Sequence, residues 1–286
     1  MASRWVVGAR PRTLPAAVVP VLVGTAVASS QGGIVWWRAA AAMVVSVAIQ
    51  VGTNYANDYS DGVRGTDDVR VGPVRLVAGG LASARSVKRA AFCAFGVAGL
   101  VGLTLVAAVG PELLVVGAAC LAAGWFYTGG SRPYGYVGLG EVAVFVFFGV
   151  VATVGSAYVH LEHVSGLAIL ASVPVGLLAT ALLVVNNLRD IPTDAASGKH
   201  TLAVRLGDRN TRVLYVGCVA VAFALVAPIG LARLAALCTF ATLVLARRPV
   251  RAVLGGAAGR DLVPVLIATG QLQLGFGLLL ALGIAL

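Results

Sequence analysis

The sequence predicts an all-α integral membrane protein with about nine spanning helices, and three observations predict it. First, 59% of the 286 residues are hydrophobic and only 11% are charged, whereas a soluble domain averages about 25% charged residues. A water-facing surface cannot be built from this chain. Second, apolar runs recur at the length a spanning helix needs, roughly 20 residues. Third, the runs are apolar all round rather than alternating, which excludes spanning strands of about ten residues.

The runs lie near 13–31, 36–59, 88–109, 112–128, 137–159, 165–191, 212–229, 231–247 and 262–286. The first follows Arg4, Arg10 and Arg12 and opens a whole series, so it reads as a span rather than a cleaved leader. The third carries Gly96, Gly99 and Gly102, a candidate seam where small residues let helices approach. The fifth carries a lone carboxylate, Glu141, which is a functional candidate by default inside a span. His160, Glu162 and His163 follow it in a short loop and read as solvated. Pro20, Pro174, Pro228 and Pro264 fall in or at the edges of runs and are candidate kinks. Cys93, Cys120, Cys218 and Cys238 sit in four different runs without ligand spacing, so they read as small buried apolar residues.

The formal charge is +10, and its distribution is one-sided. If the loops alternate between the two faces, nineteen of the 21 Lys and Arg residues share a face with the N-terminus, leaving only Arg38 and Arg233 opposite. The positive-inside rule then places the N-terminus in the cytoplasm and the C-terminus outside. Membrane orientation and anionic lipid account for the basic residues, so no nucleic-acid partner is expected. The two long cytoplasmic loops, about 60–87 and 192–211, are expected to cap a single polytopic domain spanning 1–286.

The carboxylates are concentrated in two windows. Six of the 11 Asp and Glu residues are Asp58, Asp61, Asp67, Asp68, Asp190 and Asp194. On a helix, Asn54, Asp58 and Asp61 fall within about 60° of one another. Asn186 and Asp190 share a face, with Asp194 one turn later if the helix survives Pro192. The spacing Asn54-x₃-Asp58 is echoed by Asn186-x₃-Asp190. Several like charges on one helix face call for a cation, and oxygen-rich Asp and Asn sites suit Mg²⁺ held together with water and phosphate. Arg64, Arg70, Arg75, Arg132, Arg189, Lys199 and Arg205 lie near enough in sequence to bind the remaining phosphate charge.

Four stretches carry a family resemblance: ARPRTLPAA from Ala9, NYANDYSDGVRGTDDVRVGPVRLV from Asn54, YTGGSRPYGYVGLGE from Tyr127 and NNLRDIPTDAASGKHTLAVRLG from Asn186. With them the chain resembles the UbiA-type intramembrane prenyltransferases over nearly its whole length. Among these it is most similar to the 1,4-dihydroxy-2-naphthoate polyprenyltransferases of menaquinone synthesis. The resemblance implies nine helices around a central cavity in a bacterial cytoplasmic membrane. It implies Mg²⁺, a polyprenyl diphosphate and 1,4-dihydroxy-2-naphthoate as cofactor and substrates. The implied metal ligands are Asn54, Asp58, Asp61, Asp190 and Asp194, with Asn186 one turn earlier. Many members carry a second Asp four residues after the first; that position is Gly62 here, which brings Asp67 in as a further candidate. Tyr127, Arg132, Tyr134 and Tyr136 are implied near the allylic or acceptor site. Arg12 is a candidate for the diphosphate or the acceptor carboxylate.

Two other function classes fit less well. Asp58-x₂-Asp61-Gly62 matches the opening of the CDP-alcohol phosphotransferase motif, but the continuation of that motif is missing. A transporter can use intramembrane Asp and broken helices, but these Asp fall at cytoplasmic helix ends and the spans are nearly free of charge.

Overall fold

The computed structural model describes residues 3–66 and 74–286, and its regular structure is helical throughout. Asp67, Asp68 and Arg70, which the sequence brought forward, lie outside the described residues. A short helix α1 (Arg4–Ala9) and a 3₁₀ turn at Pro11–Thr13 lead into α2 (Pro15–Gln31), at an angle of 53°. Next come α3 (Trp36–Arg64), α4 (Ala84–Val109) and α5 (Glu112–Phe126). A continuous rod then combines α6 (Gly140–Val144), a π-helical stretch at Phe145–Val151 and α7 (Ala152–Leu161). It is followed by α8 (Gly166–Ala196), α9 (Leu202–Ala224) and α10 (Val226–Ala232). The chain ends with a 3₁₀ stretch at Leu234–Thr242, α11 (Leu243–Leu254) and α12 (Leu262–Ala285).

Six helices are long and apolar enough to cross a membrane, or seven with the bent α1/α2 pair, among the described residues. That falls short of the nine expected. The two runs that miss are α5, whose 15 residues span about 22 Å at 1.5 Å each, and 234–254, which begins as a 3₁₀ stretch and carries Arg247, Arg248 and Arg251. Both still carry the chain between the two ends of the bundle. At one end Arg38 reaches Ala108 O and Glu162, Val35 N–H donates to His160, and Arg233 donates to Ser30 O. At the other end Arg10 donates to Asn54 O, Lys199 pairs with Asp61, and Arg212 donates to Val253 O. The predicted alternation of loops is therefore the geometry of the molecule.

Small residues set the closest helix approaches, though not at the seam expected from sequence. A Cβ on Gly96 would meet nothing, and one on Gly99 or Gly102 would make ordinary contact only. The tight crossings lie elsewhere. A Cβ on Gly24 of α2 would sit 2.3 Å from Thr153 O of α7, and one on Gly149 would sit 2.4 Å from Gly176 Cα of α8. In lipid no hydrophobic drive separates helices from solvent, so such close packing supplies much of the association. The largest core cluster joins α2, α7 and α8 through α12, with Tyr215, Leu272 and Phe276 among its fully buried members. Cys218 is buried, but Cys93 and Cys238 are exposed on the outer surface, which corrects the reading of all four cysteines as buried. Exposed Trp36, Leu100, Val115 and Leu231 make the same outer surface apolar, as a lipid-facing surface requires.

Both helices that carry the Asp residues run past their predicted ends. Helix α3 continues to Arg64 and stops at Gly65, which adopts φ 72°. Helix α8 continues through Pro192 to Ala196. Pro192 disfavours helical geometry at Ile191, but surrounding contacts hold the helix: Thr193 Oγ1 donates to Asp190 O, and the amide of Lys199 closes the end onto Asp194 O. Asn186, Asp190 and Asp194 therefore rise one turn apart on one face.

Candidate active site

A cavity of about 340 Å³ opens between α2, α3, α4, α5, the α6–α7 rod and α8. Its polar end is walled by Asn57 and Asp61 of α3 and by Asn186, Asn187, Asp190 and Asp194 of α8. Arg10, Arg75 and Lys199 bring positive charge to the same end. Its other end is apolar, lined by Leu105, Leu113, Val116, Phe147, Phe148 and Val159. Asn57 and Asp61 share a face, about 40° apart on the helix, and Asn57-x₃-Asp61 opposes Asn186-x₃-Asp190 across the cavity. The echo noted from sequence thus has its structural counterpart three residues later in α3.

The carboxylates have different tasks. Asp61 is 4% exposed. Tyr136 donates to its Oδ1, and Lys199 Nζ lies 3.1 Å from its Oδ2. Lys199 also stands 4.8 Å over the Tyr136 ring, in reach of a cation–π contact. Burial, and after it the adjoining Asp61 carboxylate, push the Tyr136 phenol well above its ordinary range, so it stays protonated and donates. Arg189 grips Asp190 through two hydrogen bonds of 2.7 and 2.6 Å and donates to Asn186 Oδ1 at 2.9 Å. This bidentate grip fixes the second Asp window.

Asp58 is absent from the cavity wall. Its two carboxylate oxygens accept the backbone N–H groups of Leu76 and Val77, each at 3.0 Å, and only 1% of the residue is exposed. It sits about 60° around α3 from Asp61, facing the segment 74–82 rather than the cavity. Gly62 belongs to the same contact, since a Cβ there would come within 2.5 Å of Val77 Cβ. The strap over α3 leaves no room for the carboxylate that many relatives of this fold were expected to carry at this position. Leu76 in turn is fully buried against Gly8 and Tyr55, and Arg4 donates to Leu81 O. Asn54 lines the cavity, but it is tied to the N-terminal segment: it donates to Ala9 O and Thr13 Oγ1, and accepts from Gln50.

The remaining candidates divide cleanly. Tyr127, Arg75 and Lys199 line the cavity. Arg12 and Arg132 are exposed and off its wall, and the basic residue that enters from the N-terminal segment is Arg10. Arg10 holds φ 53°, uncommon for a residue with a side chain, and donates to Asn54 O. Arg205 is exposed, packs over Gly138 and donates to His200 O. Glu141 is 4% exposed and stands behind the wall, where its Oε1 accepts from Asn187 at 2.9 Å. The residues that sequence reasoning missed are Asn57, Arg10 and Asn187. A signal for Asn57 existed, because Asn57-x₃-Asp61 repeats the spacing of Asn186-x₃-Asp190; nothing in the sequence separated Arg10 from Arg12.

The donor set fits a hard divalent cation in part of its shell. Asp and Asn oxygens face one another across the cavity, while no three His, Cys, Asp or Glu converge on a point among the described residues. Mg²⁺ usually takes one or two carboxylates and fills its octahedron with water and substrate phosphate, which matches such a split set.

Comparison with known proteins agrees with this architecture. The model of the UbiA prenyltransferase family matches residues 17–251. The 1,4-dihydroxy-2-naphthoate octaprenyltransferase of Mycobacterium tuberculosis is 50% identical over 279 residues, covering 98% of this chain and 96% of that protein. The enzyme of the same name from Escherichia coli is 41% identical over 215 residues, covering 73% and 70%. Among solved structures, an apo UbiA homolog from Aeropyrum pernix K1 aligns with a TM-score of 0.70 at 17% identity, covering 99% and 98% of the two chains. A UbiA homolog from Archaeoglobus fulgidus bound to GPP and Mg²⁺ aligns at 0.65 and 14% identity, covering 97% and 99%. On the family match and the close relatives together, this chain is a member of the UbiA prenyltransferase family.

Proposed function

We propose that the chain transfers a polyprenyl group from an allylic polyprenyl diphosphate to 1,4-dihydroxy-2-naphthoate, releasing diphosphate and carbon dioxide and giving the prenylated naphthohydroquinone, the reduced form of demethylmenaquinone. The observation that carries this reading is a cavity lined at one end by Asp61, Asp190 and Asp194 beside Arg10, Arg75 and Lys199, and apolar at the other. The names of the close relatives supply the acceptor.

In this reading the diphosphate rests at the mouth against Lys199 and Arg75, and Arg10 pairs with the acceptor carboxylate. Mg²⁺, held by Asp61, Asp190 and Asp194, supplies charge neutralisation for the leaving group. The apolar depth takes the prenyl tail. The allylic cation that forms as diphosphate departs is kept from water by the Tyr127, Phe147 and Phe148 walls. The electron-rich ring attacks it, and loss of carbon dioxide restores aromaticity. The chain acts as one domain over 1–286 in a bacterial cytoplasmic membrane, with the mouth, the N-terminus and the segments 60–87 and 192–211 on the cytoplasmic side. That orientation rests on the one-sided distribution of Lys and Arg.

The test is direct: incubate the purified protein with Mg²⁺, a polyprenyl diphosphate and competing dihydroxynaphthoate and hydroxybenzoate acceptors, then weigh the products. A prenylated naphthalene product, formed with loss of carboxylate and dependent on divalent metal, is expected. Exclusive prenylation of the benzoate would overturn the acceptor assignment.

A further inference from the structure

Where α6 meets α8, the cavity wall contains an arrangement that the proposed chemistry has not used. Glu141 opens α6 and is 4% exposed, an expensive place for a carboxyl group in a chain so poor in charge. Its Oε1 accepts from Asn187 Nδ2 at 2.9 Å, and its Oε2 has no protein partner. Asn187 lines the cavity. Around the pair, a Cβ on Gly140 would lie 3.1 Å from Tyr127 Oη and 3.5 Å from Leu183 Cδ2, so the start of α6, Tyr127 and α8 converge here.

The pair orients an amide. In the structure Asn187 Nδ2 donates to Glu141 Oε1, so the amide turns its NH₂ toward the carboxyl group. The carbonyl oxygen then points away from Glu141. That oxygen is not among the buried atoms lacking a partner, and no protein donor reaches it among the described residues. It is therefore an open acceptor at the cavity wall. An acceptor oxygen repels a carboxylate and binds a hydroxyl, so this position suits a ring hydroxyl of the acceptor rather than its carboxylate.

We infer that Asn187 Oδ1 accepts a hydrogen bond from a ring hydroxyl of the aromatic acceptor, and that Glu141 is the positioning residue that holds the amide in this sense. This rests on the proposed function for the identity of the acceptor, and deepens it by assigning the hydroxyl-reading subsite. A ligand lacking that hydroxyl leaves a desolvated carbonyl unpaired, and a site built around a hydroxyl discriminates strongly against the analogue without it.

The experiment reads binding, so that it does not depend on turnover. Equilibrium dialysis of the purified protein against 1,4-dihydroxy-2-naphthoate and its two monohydroxy analogues should show one analogue binding at least tenfold more weakly than the parent. Glu141→Leu and Asn187→Ala should each erase that preference, and combining them should add nothing further. Glu141→Gln can still present a carbonyl to Asn187 and should keep it. If wild-type protein binds both analogues as tightly as the dihydroxy compound, or if Glu141→Leu retains the preference, the inference fails. If Glu141→Leu does not fold, the wild-type comparison and Asn187→Ala decide the matter. Absence of prenyl transfer with normal hydroxyl discrimination would count against the proposed reaction and not against this subsite.

Discussion

Lys199 Nζ and Asp61 Oδ2 lie 3.1 Å apart, with 9% and 6% of their side chains exposed, tying the turn after α8 to the cavity face of α3. The same lysine also stands where a diphosphate would enter. Removing one partner of a buried pair leaves the other charge uncompensated. Lys199→Met is therefore expected to raise KM for the prenyl diphosphate by about ten- to a hundredfold, or about 1.4–2.7 kcal/mol, with the acceptor KM changing much less. Steady-state kinetics with each substrate varied in turn checks this, and equal rises in both KM values would contradict it.

Asp58 and Asp61 of the first window should separate by phenotype. Asp61→Asn, Asp190→Asn and Asp194→Asn are expected to reduce turnover by about a hundredfold or more, the scale of losing several kcal/mol of transition-state stabilisation, while the protein stays folded. Asp58→Asn still offers one acceptor oxygen but sets an NH₂ group against the Leu76 or Val77 amide. It should chiefly loosen the strap, seen as a lower Tm and faster proteolysis within 74–82. If Asp58→Asn instead weakens Mg²⁺ activation with Tm unchanged, Asp58 belongs with the metal ligands after all.

Arg10 replaces Arg12 and Arg132 as the candidate partner of the acceptor carboxylate, since it alone of the three lines the cavity. Arg10→Gln should raise the acceptor KM by about ten- to a hundredfold. Arg12→Gln and Arg132→Gln should stay within about threefold of wild type, as expected for exposed charges. A larger effect at Arg12 than at Arg10 would return the role to the membrane edge.

Sidedness can be read by chemical labelling. Single cysteines at Ser83 and Ala196 should resist an impermeant thiol reagent in intact cells and label after permeabilisation, in a background without native cysteines. One at Glu162, at the opposite end, should label directly. Labelling of Ser83→Cys from outside would invert the proposed orientation.

Packing at the glycine crossings predicts stability. Gly149→Ala and Gly24→Ala each force a methyl into backbone of the neighbouring helix and should lower Tm by several degrees, since overpacking costs about 1–3 kcal/mol. Gly96→Ala, whose Cβ meets nothing, should leave Tm unchanged.

The sequence alone determined the solvent of this protein and much of its plan. Apolar runs long enough to bury a helix in lipid, and the one-sided Lys and Arg, follow from composition and order along the chain. The two Asp windows were equally plain, because like charges crowded into a nearly uncharged chain demand a common cation. Tertiary structure decided what local spacing cannot hold. Asp58 and Asp61 differ by about 60° around one helix, and only the strap packed on that helix turns one to backbone amides and leaves the other on the cavity. Likewise Pro192 reads as a helix end by local sterics, yet contacts from the following turn carry α8 past it. Arg10 and Arg12 are indistinguishable as charges beside a span. A left-handed backbone at Arg10, held by the packing of the N-terminal segment on α3, sends one inward and leaves the other outside. A side chain's direction is set by the neighbours that exclude its alternatives, and those neighbours lie far away in sequence.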